Sequence, residues 1–262
     1  MKTVFIGITG ASSSGKSTIC KLLASILCAQ VMQEDDYFKS EKDVPFDKSR
    51  GDYDWDCPGA IDMDQMINDL KRIKKNGAFS GKELTNFEND AKLGVSIETI
   101  QKCQELLPNY SNLRIILIDG FLLLQNEQLM DLLDFTLFFK TSYDTLKRRR
   151  QNRKYIVDGN DWVDPPGYFE TFVWPGYYLH HQDLFADSDE ESVRISGGEL
   201  KLCIKEKWHI GEFSNDDDDD DNDDDDDEDQ KQLANNNASI NTLLPSVVQF
   251  AKGYLDALAS NL

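Results

Sequence analysis

Gly10-Ala11-Ser12-Ser13-Ser14-Gly15-Lys16-Ser17 matches the phosphate-loop pattern G-x-x-x-x-G-K-[ST] at every defined position. Ahead of it, Thr3-Val4-Phe5-Ile6-Gly7-Ile8 reads as a short buried strand; behind it, Ser17 to Ala29 reads as a helix. A strand feeding such a loop and helix aims successive backbone N–H groups at one point, where phosphate oxygens can sit. Lys16 is then placed to reach the β- and γ-phosphates, and the Ser17 hydroxyl to ligate Mg²⁺. The expected cofactors are Mg²⁺ with ATP or GTP as phosphoryl donor. The bland alternative is a chance Gly/Ser-rich turn, and the flanking strand and helix argue against it.

Outward from the loop, strand and helix patterns alternate. Gln30 to Gln33 is a second strand candidate, ending at Glu34-Asp35-Asp36-Tyr37-Phe38. Residues Lys39 to Gly59 form a polar loop. Ile61 to Lys75 and Ser96 to Leu107 carry helical periodicity, while Leu113 to Ile118 and Phe135 to Phe139 are further buried strands. Ser142 to Lys154 is a basic helix, and Asp164-Pro165-Pro166-Gly167 opens another helical segment. Val193 to Ile204, with Gly197-Gly198 in its middle, reads as a hairpin or a last strand with a turn. Ile240 to Leu258 reads as a terminal helix interrupted early by Pro245. The pattern predicts an α/β fold, a P-loop kinase type whose mostly parallel central sheet is covered by helices on both faces. The expected organisation is a core over 1–209 with a helical lid near 142–168, an acidic disordered insert over 210–237, and a C-terminal helix over 238–262 that packs on the core.

Of the net charge of −20, 13 negative charges fall within 216–229, leaving −7 for the rest of the chain. The low isoelectric point therefore belongs to one run that repels itself, has no apolar surface to bury, and reads as disordered. The overall field opposes nucleic acid as a partner. The five cysteines are scattered and form no C-x-x-C pair, which fits reduced thiols rather than disulfides or a zinc site. The opening apolar run is too short for a signal peptide and no run reaches membrane-spanning length, so no membrane partner is expected. These features predict a soluble cytoplasmic protein, with nuclear residence as the alternative. The partners expected are a small-molecule nucleoside and a nucleoside triphosphate, and a monomer is the favoured oligomeric state.

Phosphoryl transfer needs positioning, Mg²⁺, positive charge at the γ-phosphate and often a carboxylate to take the acceptor's proton. In an open α/β sheet such carboxylates lie at the carboxyl ends of strands. Asp35, past the second strand, is the better base because it opens the loop that would hold an acceptor. Asp119, closing Leu113 to Ile118, suits the metal side. A capping or turn role is the alternative for each. Arg150 and Arg153 lie i, i+3 on one face of the basic helix and can reach a common anion. A lid role for Lys147-Arg148-Arg149-Arg150 competes with a surface or nuclear-localisation patch. His180-His181 are adjacent, point apart and fit a helix surface better than a shared metal. Tyr177, Tyr178, Phe172 and Leu184 read as the packing face of that helix.

The phosphate loop, Asp35-Asp36-Tyr37-Phe38, Tyr53-Asp54-Trp55-Asp56, Ile118-Asp119-Gly120-Phe121, Lys147 to Arg150 and Pro166-Gly167-Tyr168-Phe169 occur in that order. Over roughly Met1 to Leu184 the chain resembles the nicotinamide riboside kinase family, itself similar to uridine kinases and other small P-loop kinases. The resemblance implies phosphorylation of a riboside 5′-hydroxyl, with nicotinic acid riboside as a further candidate acceptor. Asp35 would be the general base, aided by Lys16 and Arg153 on the phosphates. Gly10, Ser12, Ser13, Ser14, Gly15, Lys16, Ser17, Thr18, Arg149 and Arg153 would bind the nucleotide. Asp56 and Arg150 would grip the ribose hydroxyls, and Trp55 with Tyr155 would sandwich the pyridinium ring. Ser17 and Asp119 would serve the metal. The sequence departs from animal members in having Asp119 where they have Glu, and in a longer lid after Tyr155. Trp162 and Tyr168 are alternatives to Tyr155 as the second stacking aromatic. The remaining rivals are a pyrimidine nucleoside kinase and a nucleotide-dependent switch or scaffold. No Asn-Lys-x-Asp motif supports a guanine-nucleotide switch.

Overall fold

The computed structural model describes residues 1–77, 94–153, 155–157, 160–216 and 228–260. The elements, in order, begin with β1 (Lys2–Gly10), α1 (Lys16–Leu27), β2 (Gln30–Gln33), β3 (Phe46–Asp47), β4 (Asp52–Tyr53), α2 (Met63–Asn76) and α3 (Ile97–Leu106). They continue with β5 (Leu113–Asp119), α4 (Glu127–Met130), β6 (Phe135–Lys140), α5 (Tyr143–Gln151), β7 (Tyr155–Val157) and β8 (Asn160–Trp162). The last are α6 (Trp174–His181), α7 (Glu190–Ser196), α8 (Leu202–Lys207), β9 (Ile210–Ser214) and α9 (Glu228–Ser260).

Five strands form one sheet in the order β2-β5-β1-β6-β9, and every pairing in it is parallel. The period-2 alternation of strand side chains divides the apolar residues between two faces. Val4, Ile6 and Ile8 join Leu117, Leu137 and Phe139 under α1, α3 and α9. Phe5, Ile116 and Ile118 face α2 on the opposite side, where Met66, Leu70 and Ile73 complete the layer. Phe138 and Ile210 meet the aromatic residues of α6 and Val193 of α7 in a third cluster. Strands buried on both faces explain why β1, β5 and β6 read as unbroken apolar runs.

Three expectations need correction. Val193 to Ile204 is not strand: α7 ends there, Gly197 and Gly198 take positive φ, and α8 follows. The helical signals are local, since the Asp189 side chain accepts from Ser192 N–H at the α7 N-terminus and Gly197 closes it in the left-handed conformation. The fifth strand is β9, which begins at Ile210, inside the stretch expected to be acidic insert. Pro245 does not interrupt the last helix, which runs through it. Leu244, Val247, Val248, Ala251 and Leu255 are buried against the sheet, and that packing outweighs the helix penalty of one proline. Most of the acidic run, 217–227, lies outside the described residues.

Two short antiparallel hairpins, β3–β4 and β7–β8, stand apart from the main sheet. The second shows that the lid region is a helix followed by a hairpin rather than helix alone. Among the described residues no helix is long and apolar enough to cross a membrane.

Candidate active site

β1 is the central strand, and the loop leaving its carboxyl end wraps into α1. Three loop residues have positive φ: Gly10 at 146°, Ser13 at 71° and Gly15 at 84°. A Cβ on Gly10 would lie 2.2 Å from the Phe139 carbonyl oxygen, and one on Gly15 would lie 2.3 Å from Asn215 Nδ2. Both glycines are therefore required by backbone geometry and by close approach. No side chain caps the α1 N-terminus; Thr18 N–H donates to Gly15 O at 3.0 Å, and the Lys16 and Ser17 amides ahead of it point the helix terminus toward an anion. Lys16, Ser14 and Asp119 are all buried at this point of the sheet.

Asp119 ends β5 in register with Ile8 of β1 and Gln33 of β2. Burial pushes its carboxyl above the usual carboxylate range. Lys16, a hydrogen bond from the Ser17 hydroxyl, and Arg153 oppose that rise, and the nearby Asp35 adds to it. Four groups thus act on Asp119 at the carboxyl end of β5. Asp119 Oδ1 is buried without a hydrogen-bond partner among the described residues, beside the Ser17 hydroxyl. An anionic oxygen and a hydroxyl side by side, with phosphate-binding amides adjacent, form a donor set that suits Mg²⁺. Among the described residues no cluster of three or more His, Cys, Asp or Glu could hold a metal ion by itself. A cation here would need phosphate oxygens to complete its shell.

Asp35 is exposed, in the 3₁₀ turn Glu34–Tyr37 that follows β2. Tyr37, in the same turn, points inward and donates to Asp69 Oδ2 at 3.0 Å, which anchors the turn on α2. Phe38 packs edge-on against Trp55 with ring centroids 5.7 Å apart, and stacks on Phe121 at 6.3 Å. Trp55 is thereby held in a wall that extends from the end of β5.

The second half of the cleft is built around Arg150. Its guanidinium donates to both carboxylate oxygens of Asp164, Nε to Oδ2 at 2.5 Å and Nη2 to Oδ1 at 3.3 Å. Its Nη1 donates to Ser12 Oγ of the phosphate loop at 2.7 Å. The guanidinium also lies 5.8 Å from the centroid of the Tyr168 ring, which stacks on Phe172 at 4.9 Å. Tyr168 and Asp56 act on one another electrostatically, and the Asp56 backbone closes on Gly176 of α6: a Cβ there would be 2.8 Å from Asp56 O. Burial raises the Asp56 carboxyl to about 6, against the opposing pull of Arg150.

The structure thus gathers Lys16, Ser17 and Arg153 around Asp119 on one side, and Asp56, Arg150 and Tyr168 on the other, with Asp35 near enough to Asp119 to act on it. Arg149 is close to the loop as well, with Nη1 3.9 Å from the Cβ position of Gly15. Arg150 and Arg153 do not share a helix face. α5 ends at Gln151, and Arg153 continues in a turn closed by its N–H on the Arg150 carbonyl. Tyr155 and Trp162 are register partners across the β7–β8 hairpin. Tyr168, the third aromatic candidate, lies beside Arg150 and acts on Asp56. His181 is also corrected: it is fully buried rather than on a helix surface, bonded through Nδ1 to Tyr177 O at 2.9 Å, and desolvation lowers its pKa to about 4.

Sequence reasoning missed Asp164, Asn215 and Asp216. Asn215 Nδ2 donates to Ser14 O at 2.6 Å, and Asp216 Oδ1 accepts from Ser142 N–H and Oγ–H at 2.8 and 2.6 Å. The residues just past β9 therefore brace both the phosphate loop and the start of α5. Only the position of Asp164 at the end of the lid could have signalled its role; Asn215 and Asp216 were hidden by the adjoining acidic run.

Residues 5–164 match the Phosphoribulokinase / Uridine kinase family. A nicotinamide riboside kinase of Schizosaccharomyces pombe is 34% identical over 231 residues, covering 82% of this chain and 97% of that relative. One from Saccharomyces cerevisiae is 33% identical over 222 residues, covering 82% and 89%. The chain belongs to the nicotinamide riboside kinase family. Nicotinamide riboside kinase 1 of Homo sapiens, at 31% identity over 75% of this chain and 85% of its own length, extends the similarity to animals. Family membership makes the protein a kinase.

Proposed function

We propose that the protein transfers the γ-phosphoryl group of ATP to the ribose 5′-hydroxyl of nicotinamide riboside, giving the mononucleotide for NAD synthesis. The observation that carries this reading is the two-sided cleft: an anion-binding loop with Lys16 faces an acceptor pocket built from Asp35, Trp55, Asp56, Arg150 and Tyr168. The fungal and animal relatives, which are nicotinamide riboside kinases, support it.

In this reading the loop amides from Ser12 to Thr18 and the side chains of Lys16, Arg149 and Arg153 hold the triphosphate. Ser17 and Asp119 would hold Mg²⁺, which would supply positive charge against the charge developing on the phosphate oxygens. Asp56 accepts from the ribose 2′- and 3′-hydroxyls while Arg150, clamped by Asp164, donates to them. Trp55 stacks on one face of the cationic pyridinium ring, with Tyr168 or Tyr155 as the opposing aromatic. Asp35 takes the proton from the 5′-hydroxyl as its oxygen attacks the γ-phosphorus, and ADP leaves with the bridging oxygen. GTP as an alternative donor and nicotinic acid riboside as an alternative acceptor belong to the same proposal.

Acceptor-dependent ADP release with Mg-ATP tests it, comparing nicotinamide riboside, nicotinic acid riboside, uridine, cytidine and no acceptor. Turnover on the pyridine ribosides is the expected result. Turnover confined to uridine or cytidine would sink the pyridine assignment and leave a kinase with a neutral-base pocket.

A further inference from the structure

Glu34 immediately precedes the acceptor-side carboxylate Asp35, and its own side chain is fully buried. Its Oε2 accepts from the backbone N–H of Phe121 at 2.7 Å and of Leu122 at 3.0 Å. Those amides open the turn that follows Asp119 and Gly120. The approach is possible only because residue 120 is glycine, since a Cβ there would lie 2.7 Å from Glu34 Oε2 and 2.8 Å from Glu34 Cβ.

β2 and β5 are in ladder register up to Gln33 opposite Asp119. Beyond that pair the chains diverge, one into the Asp35 turn and the other into the turn at Gly120. The Glu34 side chain takes over where the ladder stops, crossing from one chain to the other with two hydrogen bonds. It reaches the same turn as Phe121, whose ring carries Phe38 and through it Trp55. One carboxyl group thus links the Asp35 turn, the Asp119 turn and the aromatic wall.

Stability alone is a poor explanation for this residue. A buried carboxyl is costly compared with an apolar side chain, and Glu34 Oε1 has no hydrogen-bond partner among the described residues. Burial raises its pKa to about 8, so at neutral pH the group is mainly the neutral acid. In that form it adds little charge beside Asp35 while still accepting both amides.

We propose that Glu34 is a positioning residue for phosphoryl transfer: by bridging to the Phe121 and Leu122 amides it fixes the spacing between Asp35 and Asp119. The inference rests on the acceptor-side and metal-side roles proposed above for those two carboxylates. Glutamine at this position keeps the length and the accepting oxygen. Aspartate keeps the carboxyl but falls one methylene short of the two amides.

Steady-state kinetics of the full chain, with nicotinamide riboside and Mg-ATP, separate the possibilities when combined with thermal melting. Glu34→Gln is expected to hold kcat within about threefold of wild type. Glu34→Asp is expected to lose kcat by roughly 10- to 100-fold, the scale of a small misplacement of reacting groups, while KM for ATP stays within about threefold. Equal kcat in Glu34→Asp with a lowered melting temperature would reduce Glu34 to a structural brace and overturn the proposal. Loss of kcat in Glu34→Gln as large as in Glu34→Asp would also overturn it, because spacing would then not be what matters. If Glu34→Asp melts below assay temperature, Gly120→Ala displaces the same carboxyl without altering it. Its kcat is expected to fall likewise, and full kcat there would refute the spacing argument. Should wild type use uridine instead of nicotinamide riboside, the substrate reading fails on its own, and the same variants measured on uridine still decide the role of Glu34.

Discussion

The phosphate side and the acceptor side of the cleft are built on different principles. The phosphate side centres on one continuous segment, β1 through the start of α1, with Asp119, Arg149, Arg153 and Asn215 set around it, and its key geometry is fixed by backbone: positive φ at Gly10 and Gly15 and a helix terminus with no side-chain cap. The acceptor side is assembled from four separate stretches, with Phe38 of the Asp35 turn, Trp55–Asp56, Arg150 and Asp164–Tyr168 meeting through side-chain interactions. A backbone-built site tolerates almost no substitution but needs few partners. A side-chain-built site can be retuned one contact at a time, which suits the half of the cleft that must discriminate between acceptors.

The largest effect should come from the residue that stands between the halves. Asp35→Asn is expected to lower kcat by about 10²- to 10⁴-fold, the usual scale for removing a general base, while nucleotide affinity is retained. Titration with a fluorescent ATP analogue beside turnover would check both; a variant with normal kcat would remove Asp35 from the chemistry. On the phosphate side, Gly15→Ala should weaken ATP binding by tenfold or more. The left-handed conformation alone costs roughly 1–2 kcal/mol for a residue with a Cβ, and the methyl would also displace Asn215 from the loop. Calorimetry would detect the loss, and unchanged affinity would show that the loop is less backbone-determined than its geometry implies.

Asp164→Ala tests the acceptor side in the same terms. Loss of the paired hydrogen bonds to Arg150 should raise KM for the riboside by about tenfold, corresponding to 1–2 kcal/mol, with KM for ATP nearly unchanged. Arg150 also donates to Ser12 of the phosphate loop, so its side chain hydrogen-bonds into both halves. A double-mutant cycle of Asp164→Ala with Ser12→Ala would measure how strongly the halves are coupled. A coupling near zero would make them independent modules.

The same division governs what could be read from the sequence. The phosphate loop is local, so its pattern and its flanking strand and helix are visible in one stretch. Asp35 and Asp119 are visible once the strands are recognised, because parallel strands deliver their carboxyl ends to one edge. Glu34, Asp164 and Asn215 are not, since their partners lie 87, 14 and 201 positions away and follow no spacing rule. The strand β9 was obscured for a different reason. IGEFS is only five residues long, carries a glycine and a glutamate, and sits on the edge of the sheet beside a run of acidic residues. Glu212 is accommodated there because Lys205 Nζ and the Leu200 N–H both donate to it at 2.6 Å. In α9, long-range packing overrode the break expected at Pro245.

The smallest predicted effect is a pH dependence confined to the acceptor side. Asp56 titrates near 6 in the folded protein, above its ordinary range, mainly because it is desolvated. A neutral Asp56 accepts ribose hydroxyls less well than a carboxylate, so kcat/KM for the riboside should fall as pH drops below about 6, by up to tenfold per unit. Stability should change in the opposite sense. Between the ordinary aspartate pKa and about 6 the folded chain binds more protons at this site than the unfolded chain, so this group's contribution to stability decreases as pH rises through that window. Asp56→Asn should flatten both trends while raising KM at neutral pH. If kcat/KM falls with the same midpoint in Asp56→Asn as in wild type, the titrating group lies elsewhere in the cleft, and the acceptor pocket owes its affinity to stacking and to Arg150 rather than to this carboxylate.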